Sequence, residues 1–110
     1  MRRVLVLALL PVLVVADAAL VGAADWPQWR GPTADGVSAE TGFPTEWDGK
    51  AGKNVRWKVK VPGVGNSSPV VAGNDVILTA SSGRDHSELR VLCYDRATGK
   101  ERWRTDLTAT

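Results

Sequence analysis

The 110-residue chain has a single cysteine, a single histidine, one tyrosine and one phenylalanine, and its only methionine is residue 1. Each scarcity removes a class of reading. Cys93 alone cannot close an internal disulfide, so no cystine framework holds this chain together. With His86 as the only other soft ligand, a zinc site built from Cys and His is excluded. Ser67 and Ser68 lack the strand-to-helix elbow of a serine hydrolase, and only His86 could act as their base. Excess charge is also scarce: fourteen basic against twelve acidic residues gives no electrostatic case for nucleic acid or an anionic membrane. Gly63, Gly65 and the polar residues after them precede Pro69 and an apolar run, not a helix, which rules out a dinucleotide-binding turn. Asp25, Asp35, Glu40, Glu46 and Asp48 are scattered without the spacing of a metal loop.

What is present begins with an export signature. Arg2 and Arg3 precede Val4 to Val15, a nearly unbroken aliphatic run, and small residues at Gly22, Ala23 and Ala24 follow. That order of basic, apolar and small segments marks residues 1–24 as a secretory signal. The run is shorter than the ~20 residues that span a bilayer, and extending it would bury Asp17. A cleaved signal is therefore the expectation, and an uncleaved N-terminal anchor the alternative. The expected destination is the periplasm or the extracellular space, with no stable membrane insertion after cleavage. Removing Arg2, Arg3 and Asp17 leaves twelve basic and eleven acidic residues.

Residues 25–53 form an irregular segment rich in Trp, Pro and Gly, and the remainder, 54–110, reads as β-structure. "NVRWKVKV" (54–61) alternates, with Val55, Trp57, Val59 and Val61 on one face and Arg56, Lys58 and Lys60 on the other. "SPVVAG" (68–73) and "DVILTA" (75–80) are continuous apolar runs joined at Gly73-Asn74, the pattern of strands covered on both faces. "ELRVLCYD" (88–95) is similar, and "ERWRTDL" (101–107) alternates again, with Trp103 inward and Arg102 and Arg104 outward. No segment after residue 24 has helical spacing, so the fold class is all-β. "GKNVRWK" (52–58) and "GKERWR" (99–104) echo one another, and their tryptophans, residues 57 and 103, are spaced like the ~40–50-residue repeat of a four-stranded propeller blade.

The stretch from Cys93 to Trp103 resembles the tryptophan-docking motif of pyrroloquinoline-quinone (PQQ)-like β-propeller repeats, A-x-D-x-x-T-G-x-x-x-W. Asp95, Thr98, Gly99 and Trp103 match, and Cys93 stands where that family usually has alanine. The resemblance covers about residues 54 to 107. It implies an antiparallel four-stranded blade plus one strand of a closing blade, with Trp57 as the partner position there. Propellers close with typically four to eight blades, so the expectation is an incomplete propeller, the N-terminal fragment of a longer protein. A single blade assembling with copies of itself is the alternative.

Two functions follow from the resemblance. One is an exported binding or scaffold platform without catalysis; the other is the N-terminal part of a PQQ-dependent alcohol or sugar dehydrogenase. No catalytic, cofactor-binding or metal-binding residue stands out in this chain, and PQQ with calcium would belong to a full-length protein. The expected partners are the missing blades of the same chain or copies of it, and other exported proteins. "DWPQWRGP" (25–32) resembles the segment after the signal in secreted bacterial members of the group. Trp26 and Trp29 are expected to cover an end or side of the propeller; a ligand-stacking pair beside Arg30 is the competing reading. "SSGRDHSE" (81–88) is expected as a polar loop, and Asn66-Ser67-Ser68 is a formal glycosylation acceptor.

Overall fold

The computed structural model describes residues 23–108, so most of the expected signal lies outside the described residues. Four strands make one antiparallel sheet in sequence order: β1 (Val70–Ala72), β2 (Asp75–Ser82), β3 (Glu88–Asp95) and β4 (Glu101–Thr108). The all-β class is what the absence of helical spacing demands, and the described residues hold only one 3-10 turn, Arg84–His86. Each apolar run becomes a strand because its β-branched and aromatic side chains fit a pleated, covered surface. Each break between runs carries turn chemistry. Gly73, at φ +55°, closes the two-residue turn that sets Ala72 opposite Asp75.

Register explains where the core sits. Leu78 faces Leu92 and Val76 faces Tyr94 across β2 and β3, placing those side chains together on one face. Ala80, Leu92 and Tyr94 are buried there, with Val61 and Leu78 packed against them. Cys93, between Leu92 and Tyr94, points to the opposite face and is also buried, aligned with Ile77 and Trp103. Three consecutive buried residues mean that both faces of β3 are covered at this end, as its unbroken apolar run implies. Between Cys93 and Tyr94 the register with β4 slips, so that Arg102 is the extra residue of a bulge. Its guanidinium reaches across to the Asp75 carboxylate.

Two expectations are corrected in detail. Residues 54–61 form no ladder among the described residues; Val55, Trp57 and Val61 are half-buried while Val59 is exposed. The alternation is in the sequence, but no described strand lies alongside to receive its backbone hydrogen bonds. Trp103 does not point into a core. Every residue of β4 is exposed, Trp103 by 43%, because β4 is the edge of the sheet and nothing described covers it.

The opposite edge is covered. Trp26 and Val71 exchange both backbone hydrogen bonds, each 2.8 Å, so the N-terminal segment adds a short bridge alongside β1. Asp25 accepts the Gly73 amide at 2.8 Å, and the Trp26 indole lies on Gly31, where an added Cβ would meet it at 2.6 Å. The Trp26 backbone thus pairs with the β1 edge, while its indole packs on Gly31 of its own segment. Trp29 does neither: it is 69% exposed, with only the Arg30 guanidinium 5.5 Å from its ring centroid. Among the described residues no helix is long and apolar enough to cross a membrane.

Candidate docking site

The β3–β4 connection is a turn organised around one carboxylate. Asp95 Oδ1 accepts the Ala97 amide at 3.0 Å, the Thr98 amide at 2.8 Å and the Thr98 hydroxyl at 2.9 Å. The Gly99 amide donates to the Asp95 carbonyl and the Asp95 amide to the Lys100 carbonyl, both at 2.8 Å. A short acidic side chain is needed here because it must curl back to amides two and three residues on. The Thr98 hydroxyl and amide hold the Asp95 carboxyl below its ordinary range, since those donors favour the charged form. Gly99 follows at φ +72°, a left-handed conformation that costs any residue with a Cβ.

Trp57 lies on this turn. A Cβ built on Gly99 would fall 2.6 Å from Trp57 Cδ2, so the indole occupies the volume that only glycine leaves open. Its Nε1–H donates to the Arg96 carbonyl at 2.9 Å, across 39 residues of sequence. The result is a half-buried apolar plate pinned by one directional hydrogen bond, the arrangement an indole favours at a partly wet contact. Of the six residues of the expected motif, the structure brings Trp57, Asp95, Thr98 and Gly99 into this one contact. Cys93 is fully buried in β3, and burial and the neighbouring Asp75 raise its thiol pKa. Trp103 is paired with Cys93 across the ladder but stands apart from the Trp57 contact.

Arg96 is the participant that sequence reasoning missed. Its carbonyl receives the indole, its amide donates to the Asn74 carbonyl at 2.9 Å, and its guanidinium bonds the Gly73 and Ala24 carbonyls, each at 3.2 Å. The indole contact is made by backbone, so no residue type could have signalled it. The other polar candidates serve local structure. The Ser67 hydroxyl accepts the Thr79 amide at 3.1 Å. The expected loop 81–88 is shorter in the structure, since Ser81 and Ser82 belong to β2 and Glu88 to β3, and Ser81 Oγ lies 3.1 Å from Nδ1 of His86 in the connection between them. Asp35 accepts the Val37 amide and Asp48 the Lys50 amide, each capping its own turn. Gly63 brings the backbone against the Ser81 carbonyl, where a Cβ would sit only 2.5 Å away.

Among the described residues no three His, Cys, Asp or Glu side chains converge as a group that could hold a metal ion, and the thiol of Cys93 is buried in the sheet. No protein-family model matches the chain, and neither a curated protein nor a solved structure is significantly similar to it.

Proposed function

We propose that this chain is the opening part of an exported PQQ-like β-propeller that acts as a binding or scaffold platform. The observation that carries the reading is the seat of Trp57 on the Asp95–Gly99 turn, through Gly99 and the Arg96 carbonyl. It is a side-by-side contact between one repeat word and the turn of the next unit, and it fits the architectural role of the docking motif. The second word, ending at Trp103, presents an equivalent indole that is 43% exposed on the edge strand. A further blade with its own Asp-x-x-Thr-Gly turn would cover it. A second copy of this chain is a poorer complement, because the copy's own Trp57 already fills that turn. The scaffold reading is supported by the described residues around Trp57, Asp95 and Gly99, which organise a turn and seat an indole.

The test is reconstitution of the exported protein with PQQ and calcium. A scaffold shows neither bound-quinone absorbance nor dye-linked alcohol oxidation. Appearance of both replaces the scaffold reading with a quinoprotein dehydrogenase.

A further inference from the structure

The outer side of β4 has no neighbouring strand among the described residues, whereas Trp26 bridges to β1 at the other side of the sheet. From Trp103 to Thr108 the ladder with β3 is regular, and every residue of the strand is exposed. Such an edge presents free N–H and C=O groups to any strand that can lie alongside it. The side chains of β4 are ordered about Thr105. Trp103 and Leu107 lie two positions to either side and share its face, while Arg104 and Asp106 lie one position to either side on the other face. Behind them in β3, Cys93 stands beside Trp103 and Leu89 beside Leu107, with Leu92 beside Arg104 and Arg90 beside Asp106.

We propose that a second copy of this chain pairs with β4 through its own β4, antiparallel and centred on Thr105, so that the two sheets join edge to edge. In that register Trp103 stands opposite Leu107 of the second copy and Arg104 opposite its Asp106. Each pair occurs twice, because the twofold axis passes between the two Thr105 residues. The apolar row Leu89–Leu107 of one copy then continues into Trp103–Cys93 of the other. On the opposite face Asp106 already accepts from Arg90 Nε at 3.0 Å and lies 3.6 Å from Arg104 Nε of its own strand, and it gains the Arg104 guanidinium of the second copy. Charge selects this register over its neighbours. A centre on Trp103 sets Arg102 against Arg104, a centre on Arg104 sets that guanidinium against itself, and a centre on Asp106 does the same to the carboxylate. Like charges directly opposite one another are destabilising. A strand that carries its own complement in reverse order needs no unrelated partner. The copy joins at the edge and leaves each Trp57 on its own turn, so the inference does not rest on the propeller reading. The ladder is short, and the dimer should dissociate on dilution.

Thr105→Cys tests the register directly, because only a centre on residue 105 sets that position against itself. Opposed Cα atoms of an antiparallel pair lie about 4.5–5.5 Å apart, within reach of a disulfide, and the native Cys93 is fully buried. With glutathione disulfide as oxidant, the thiols of two chains join as one disulfide and the glutathione leaves as two thiols. The Thr105→Cys protein should dimerise covalently at least about tenfold faster than Thr108→Cys, whose two copies stand about 20 Å apart in this register. Equal rates, or a faster reaction at position 108, overturn the register. Sedimentation velocity of the native protein over a concentration series should show a monomer–dimer equilibrium. Arg104→Glu, at a partly exposed side chain, sets carboxylates opposite one another twice and should weaken that equilibrium at least about fivefold. A monomer throughout the series, or an equilibrium that Arg104→Glu leaves unchanged, overturns the proposal.

Discussion

At Gly99 two costs coincide, as they also do at Gly31 and Gly63. Its φ of +72° disfavours any side chain, and the Trp57 ring fills the place of a Cβ. Gly73 has a similar φ of +55° but nothing within 4 Å of the built Cβ. Gly73→Ala should therefore cost only the backbone term, about 1–2 kcal/mol. Gly99→Ala should cost roughly 1–3 kcal/mol more by forcing the indole off the turn, with a red-shifted tryptophan emission as the sign of that movement. Paired chemical denaturation curves check both values. Asp95 gives a pH prediction at the same turn. Its folded-state pKa is depressed, so its contribution is present above the ordinary aspartate value of 3.8 and is lost as pH falls through the lower folded value. The melting temperature of the wild type should drop across that acid window, and Asp95→Asn should be less stable at neutral pH and flatter below it. Parallel melting curves of the two proteins at descending pH check the sign.

On the scale of the element, β4 is the exposed member of the sheet. Its eight residues leave one edge unpaired, and Trp103 and Leu107 stand out from it at 43% and 53% exposure. Charged neighbours such as Arg102 and Arg104 blunt such an edge, as in many sheets, yet the apolar pair remains uncovered. This chain alone should therefore self-associate through β4 in a concentration-dependent way. Trp103→Lys combined with Leu107→Lys should weaken that association by at least about tenfold, from the apolar area no longer buried and the charge repulsion added. Sedimentation velocity over a concentration series measures it. The β1 edge makes the contrast, since Trp26 and Asp25 already occupy it, and substitutions on the exposed Trp29 should leave association unchanged.

For the whole molecule, the two tryptophans of the repeated words should behave differently depending on what surrounds the sheet. In this chain alone Trp103 is nearly half exposed, so Trp103→Ala should change stability little. On the proposal that a further blade covers Trp103, the same substitution in a protein carrying that blade should cost roughly 3–5 kcal/mol, as for other buried tryptophans. Thermal unfolding of both forms, with and without the substitution, separates the cases. An equally small effect in the protein carrying that blade removes Trp103 from any docking role.

The four strands of the sheet and the all-β class were legible in the sequence. Unbroken runs such as "DVILTA" and "ELRVLCYD" carry their own β-preference and burial pattern, and Gly73, Asp95, Thr98 and Gly99 carry their own turn chemistry. The echo of its word around Trp103 singled out Trp57 in the sequence, although the carbonyl that receives its indole gave no signal there. Tertiary structure alone decided which faces and edges are covered. Period-two alternation around Trp57 and around Trp103 is equally clear in sequence. One indole nevertheless finds a turn to rest on while the other stands at an open edge. Residues 54–61 likewise have a strand's pattern without a strand's ladder, because a backbone hydrogen bond needs a neighbour that no local pattern can supply. The contacts of Ala24 with Glu40 and Arg96 were hidden for the same reason, being made of backbone groups and charges that meet only once the chain has folded back along β1.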